Sequence, residues 1–257
     1  MAVVKVRDGE IYYEVAGEGA PIVFAHGVGG NHTIWFQQLP EFSSQFRTIT
    51  FDHRGFGNSV DRGGHGRSEF VADLKAVLDD IGLARVSLVG QSMGGGTCIG
   101  FTCRYPDRVS KLVVCDSLHG IQEPRPVKEL MDQARIETAH LTQLERVLGA
   151  RVRLGDPLRA LLYSQLNSFN QTNRHNLKGQ FDPLFSPDEL ASTGVPTLFL
   201  VGQSDVLFPA AAVREMSKHV QGAEFIEVAG SGHSVFFEDP ATFNSVVMSF
   251  LSQKSAI

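Results

Sequence analysis

Residues 85–96 read R-V-S-L-V-G-Q-S-M-G-G-G, and no other stretch limits the fold so tightly. Val86–Val89 is a short run, valine at both ends, of the kind that fills a buried parallel strand. Met93–Tyr105 reads as a helix, with Gly94, Gly95 and Gly96 in its first turn. Strand therefore passes to helix within a few residues, and Ser92 occupies the corner, inside G-x-S-x-G. So sharp a corner strains the serine's backbone and stands its hydroxyl clear of the chain. Gly90 and Gly94, two residues to either side, carry no Cβ, which lets neighbouring main chain pass close by. The helix N-terminus points free N–H groups and partial positive charge at whatever the hydroxyl attacks. The pentapeptide alone is a weak signal. Its weight comes from this setting, and from what ends the other strands.

Those strands are legible as an alternation. Val3–Arg7 and Glu10–Val15 flank Asp8-Gly9 as a hairpin. Strands follow at Ile22–Ala25, Arg47–Phe51, Val86–Val89, Lys111–Cys115, Thr197–Val201 and Phe225–Val228. Helical stretches lie between them, including a short one near Trp35–Leu39 and an amphipathic one over Glu69–Ile81. The pattern predicts an α/β fold: a mostly parallel, doubly wound, eight-stranded sheet covered on both faces. From Ser117 to Gly194 the strands stop; Val127–His140, Leu141–Leu148 and Asp156–Phe169 read as helices, with prolines at both ends of the stretch. The expected organisation is a core of 1–117 and 195–257, with 118–194 inserted after the sixth strand as a helical cap over a pocket.

Composition narrows the function classes. A chain of 257 residues, 42% apolar, can bury one large core. A net charge of −5, with lysines and arginines dispersed, offers no basic stripe for nucleic acid. No apolar run reaches membrane-spanning length, and the start of the chain alternates like a hairpin, unlike a signal peptide. The three cysteines, Cys98, Cys103 and Cys115, fall in apolar segments and read as reduced, buried thiols, so a cytoplasmic location is expected. Oligomeric state is not readable.

A serine hydroxyl needs a base within hydrogen-bond reach to act as a nucleophile at neutral pH. Of nine histidines, His233 stands out: it follows the last apolar strand on a glycine-flanked loop, in G-S-G-H-S-V-F-F-E-D-P. His26, in H-G-V-G-G, reads as a loop-shaping residue; His32, His65, His119, His140, His175 and His219 have no supporting pattern. The base needs an acid to fix its tautomer. Asp205, just after the Thr197–Val201 strand, gives the chain order serine, acid, histidine; Asp116, after Lys111–Cys115, is the alternative acid. Two N–H donors must meet the developing oxyanion, and position nominates Val28 and Met93. Trp35, Met131, Leu162, Leu166 and Phe169 are candidate pocket residues, although their spacing fits simple packing equally well. Asp52 and His53 lack the spacing of a metal site, no H-E-x-x-H occurs, and no metal is expected; the triple glycine lacks the G-K-[ST] of a phosphate loop.

With F-A-H-G-V-G-G, F-D-H-R-G-F-G-N-S, V-G-Q-S-M-G-G, V-G-Q-S-D-V-L-F-P and G-S-G-H-S-V-F-F-E-D-P in order, the chain resembles the α/β-hydrolase superfamily over residues 3–117 and 195–252. Within it, the chain is similar to the 3-oxoadipate enol-lactonase and small carboxylesterase branch. The resemblance implies nucleophile Ser92, base His233, acid Asp205, oxyanion donors Val28 and Met93, and no cofactor. It implies hydrolysis of a small carboxylic ester or lactone through an acyl-enzyme; the charge and hydropathy above add the expectation of no nucleic-acid or membrane partner. Serine at the elbow disfavours the dehalogenase and epoxide-hydrolase branches, which carry aspartate there. Two alternatives stay open. One is a C–C hydrolase of a vinylogous diketone, although Ser234 stands where that branch tends to have tryptophan; the other is a ligand receptor on the hydrolase fold.

Overall fold

The computed structural model describes residues 1–253. Its strands are β1 (Ala2–Val6), β2 (Gly9–Ala16), β3 (Ala20–Ala25), β4 (Phe46–Phe51), β5 (Val60–Asp61), β6 (Val86–Gln91), β7 (Val109–Cys115), β8 (Thr197–Gly202) and β9 (Glu224–Val228). They form one sheet in the order β1-β2-β4-β3-β6-β7-β8-β9, with β5 paired to β2. The eight strands expected from the sequence make up that path. The ninth, β5, is two residues long, and its pairing with Gly9 and Glu10 gives it strand geometry without any apolar run. β2 is antiparallel to β1, β4 and β5, and every pairing from β4 across to β9 is parallel. In the first hairpin Val6 pairs with Gly9, so the loop is Arg7-Asp8, one residue earlier than expected, with Asp8 taking the positive φ of 49°.

Both faces of the sheet are covered, and the strands show it by period-two alternation. Val23, Ala25, Leu88, Val114, Phe199 and Val201 join one apolar cluster; Ile22, Phe24, Val89, Val113, Leu198 and Leu200 join the other. The first is closed by helices Phe70–Ile81, Met93–Arg104 and Ala210–His219, the second by Trp35, Phe42 and helix Pro240–Ser252. Continuous apolar strands of this kind need cover on both sides.

β3 lies between β4 and β6, so the chain reverses its direction of winding there. At such a switch point the loops leaving adjacent strands diverge and open a crevice beyond the strands' carboxyl ends. The loop after β3 carries Val28, and the turn after β6 carries Ser92. Between β7 and β8 the chain forms helices Arg125–Thr138, Gln143–Val147, Ala150–Gly155, Pro157–Ser168 and Pro187–Ser192. The expected helix Leu141–Leu148 is shorter because Thr142 and Glu145 form a capping box that starts it at Gln143. The expected helix near Trp35–Leu39 is instead a short 3₁₀ turn, His32–Trp35, capped by Asn31, followed by Leu39–Phe42. No described helix is long and apolar enough to cross a membrane.

Candidate active site

Ser92 has φ 49° and ψ −118°, a conformation that an L-residue holds only when its surroundings over-determine it. They do. Its N–H donates to the Cys115 carbonyl at 2.9 Å, and its carbonyl accepts from Gly95 N–H at 2.9 Å and Ser117 Oγ at 2.7 Å. A Cβ on Gly94 would overlap the Ala25 carbonyl, and one on Gly27 would overlap the Gln91 amide oxygen. The close approach of the loop after β3 to the turn after β6 therefore requires glycine on each side. Met93 opens the helix, so its N–H has no intrahelical acceptor.

His233 lies on the loop after β9, and two contacts fix it. Gln91 Nε2 donates to the His233 carbonyl at 2.9 Å, tying that loop to the residue before the serine. On the ring, Nδ1 lies 2.9 Å from Asp205 Oδ2. A carboxylate at Nδ1 selects the tautomer with hydrogen there, leaving Nε2 with a free lone pair. The other Asp205 oxygen accepts from Leu207 N–H at 2.8 Å and Phe208 N–H at 3.1 Å, which sets the carboxylate's direction. The Phe208 ring stacks on the imidazole, 5.7 Å between centroids and 19° from parallel. Ser92 and His233 line the same cavity, and no hydrogen bond joins their side chains in this conformation. Such contacts are often long without substrate and tighten when it binds.

Asp116 sits beside Asp205 and does different work. Its Oδ1 accepts from Gly202 N–H at 2.9 Å and its Oδ2 from Val235 N–H at 3.3 Å. Complete burial pushes its carboxyl well above the usual range, and the Asp205 charge adds to this. The imidazole contact belongs to Asp205. Glu238, from the same motif as His233, accepts from Gly232 N–H at 3.1 Å and Gly149 N–H at 3.0 Å. It thereby joins the His233 loop to the segment between β7 and β8.

The loop after β3 is held by His26. Its Nε2 accepts from His53 N–H at 3.0 Å, so the hydrogen is on Nδ1, which donates to the Gly27 carbonyl at 2.9 Å. Burial pushes the His26 imidazole down to about 4 and His53 well below the usual histidine range. Asp52 accepts from His32 N–H at 2.6 Å and Asn58 N–H at 2.8 Å, so it shapes its loop. Among the described residues no three His, Cys, Asp or Glu side chains cluster as metal ligands would.

Above Ser92 lies a cavity of about 540 Å³, lined in part by Val28, Met131, Leu118, Phe208 and His233. Of the five pocket residues nominated from the sequence, Met131 is there and four are not. Trp35 is fully buried against Phe24 and Phe236, where the aromatic cluster absorbs it. Leu166 packs into that same cluster, while Leu162 and Phe169 face outward, at 40% and 71% exposure. The helix Pro157–Ser168 turns its other side, with Tyr163, to the protein. Sequence reasoning missed His119, Arg67, Arg146 and Arg174, which also line the cavity. They come from separate segments with no shared period, so only the fold brings them together. Burial, with Arg67 nearby, pushes His119 down to about 3, and its ring packs on Phe208 at 5.1 Å.

Two family models match the chain: one described as alpha/beta hydrolase fold over residues 20–158, and one as TAP-like protein over residues 177–256. A putative carbamate hydrolase RutD of Caulobacter sp. (strain K31) is 27% identical over 264 residues, spanning 96% of this chain and 97% of its own. Est816, described as an N-acyl homoserine lactone degrading enzyme, has 27% identity and a TM-score of 0.80, covering 97% of this chain and 100% of that one. The enol-lactonase from Burkholderia xenovorans LB400 has 23% identity and a TM-score of 0.81, over 98% of this chain and 100% of its own; it matches in fold.

Proposed function

The chain belongs to the alpha/beta hydrolase fold family and is a hydrolase, and from that premise we propose that it cleaves a small carboxylic ester or lactone with Ser92 as nucleophile. One observation carries the reading: a strained serine opens on the same cavity as a histidine whose far nitrogen is held by a carboxylate. His233 Nε2 takes the Ser92 proton as Oγ attacks the carbonyl. The tetrahedral oxyanion forms beside Val28 and Met93, whose N–H groups stabilise it. Asp205 keeps the imidazole in the productive tautomer and stabilises the cation that forms. His233 then protonates the leaving alkoxide, and an acyl group stays on Ser92. Water, deprotonated by His233, attacks that acyl group, and the proton returns to Ser92 as the acid departs. The segment 118–194 acts as the cap that limits water access to this cavity.

A panel of nitrophenyl esters, simple lactones and a carbamate tests the reading, using wild type, Ser92→Ala and His233→Ala. Either substitution is expected to lower kcat by about three orders of magnitude or more, because such groups act as a unit. Ester or lactone turnover persisting near the wild-type rate without Ser92 would overturn it.

A further inference from the structure

In a chain of net charge −5, the cavity above Ser92 has the opposite sign: Arg67, Arg135, Arg146 and Arg174 line it, against the single carboxylate of Glu123. Arg135 is already paired, with Glu123 and with Asp132. The other three have no carboxylate within ion-pair distance among the described residues. Their hydrogen bonds go elsewhere: Arg146 Nη1 to the Thr138 carbonyl at 2.7 Å, Arg174 Nη2 to the Leu141 carbonyl at 3.4 Å, and Arg67 Nη1 to the Gly179 carbonyl at 3.4 Å. Arg174 Nε also donates to His175 Nε2 at 3.2 Å. A guanidinium carries five donors in a planar fork, so each of the three keeps most of its donors unused.

All three are partly buried as well. Loss of water makes the charge on Arg67 and Arg146 harder to hold, and Arg174 repels Arg146 further. The one arginine fully buried among the described residues, Arg54, is paired: it meets Asp73 through two bonds of 2.6 Å. Unpaired cations of like sign, gathered at one cavity, are costly to maintain unless an anion completes them. His119, held neutral beside Arg67, adds no charge of its own to the lining.

We propose that the substrate is an anion, an ester or lactone bearing a carboxylate, gripped by Arg146 and Arg174 with Arg67 as a further cation, while its carbonyl meets Ser92. This rests on the hydrolase reading above and adds the charge of the substrate to it. Arginine forks match carboxylate geometry bidentately, which sets orientation as well as affinity. A cavity of about 540 Å³ accommodates a molecule of some ten heavy atoms or more.

Two matched substrate pairs test it. The first is 4-nitrophenyl hydrogen glutarate against its methyl ester, with the charge on the acyl side. The second is 4-carboxyphenyl acetate against its methyl ester, with the charge on the leaving group. In wild type, the anionic member of at least one pair is expected to have about tenfold higher kcat/KM, corrected for spontaneous hydrolysis. Arg146→Gln and Arg174→Gln should each cut that anionic-to-neutral ratio by about tenfold, mainly through KM. Arg125→Gln, a change at an exposed residue outside the cavity, should leave the ratio as in wild type.

Binding of glutarate to Ser92→Ala, followed by calorimetry, reads the same site without turnover, and Arg146→Gln in that background should weaken it. Equal use of anionic and neutral members in both pairs, with no arginine-dependent glutarate binding, overturns the proposal while leaving a Ser92-dependent esterase standing. Arginine-dependent glutarate binding without hydrolysis of any member supports the anion site and counts against the hydrolytic reading.

Discussion

Asp205 and Asp116 end neighbouring strands, β8 and β7, and their hydrogen bonds separate their roles. Asp205 points one oxygen at His233 Nδ1, whereas Asp116 uses both of its oxygens on main-chain N–H groups of the β8 end and the His233 loop. Replacing Asp205 by Asn would present an amide to Nδ1 and favour the wrong tautomer, so kcat is expected to fall by about 10³- to 10⁴-fold. Asp116→Asn should cost less than about tenfold, because the imidazole keeps its partner. Steady-state ester hydrolysis by the two variants decides between them, and the reverse ranking would transfer the role to Asp116. Chain order puts Asp205 first and leaves Asp116 as the alternative, since each follows an apolar strand at the same sheet edge. What separates them is which one the local turn aims at the ring, and Leu207 and Phe208 N–H groups do that for Asp205.

At the scale of elements, the loops after β3 and β4 are locked together by the His26–His53 contact, and that lock needs neutral imidazole. His26 Nε2 accepts a hydrogen bond, and burial holds its pKa down at about 4, below the ordinary histidine value of 6.5. The sign follows from linkage. Between those two values the unfolded chain binds the proton and the folded one does not, so stability is full above about pH 6.5 and is lost as pH falls toward 4. His53 and His119, also lowered by burial, add losses of the same sign, so His26→Asn removes one group's share and should make the decline shallower, even if it lowers stability at pH 7. Urea midpoints of both proteins from pH 7.5 to 4, in roughly half-unit steps, check it. An unchanged slope in the variant would show that His26 contributes nothing to the loss.

Elements differed in how openly they were written in the chain. β6 and its helix were plain because a short run bounded by valines is soon followed by consecutive glycines. The 3₁₀ turn at His32–Trp35 and the two-residue β5 were not, since a cap by Asn31 and a pairing with β2 decide them. In the stretch between β7 and β8 the period was weak and Thr142 with Glu145 was the missed start signal.

Across the whole molecule, an eight-strand path whose winding reverses at β3 brings Val28, Ser92, Asp205 and His233 to one edge from four separate loops. Motif order alone sufficed to nominate those positions. The cationic lining was invisible, because Arg67, Arg146 and Arg174 become neighbours of one cavity only after folding. Trp35 misled for the converse reason: a large aromatic side chain near a pocket-forming loop was taken up by the core. The central claim is that this architecture turns one alcohol, Ser92, into a nucleophile. Treatment with a fluorophosphonate, followed by peptide mass spectrometry, tests it directly. The account predicts a single stoichiometric adduct on Ser92, lost in Ser92→Ala and strongly slowed in His233→Ala. An active hydrolase that remains unlabelled at Ser92, or carries its adduct on another residue, would contradict it.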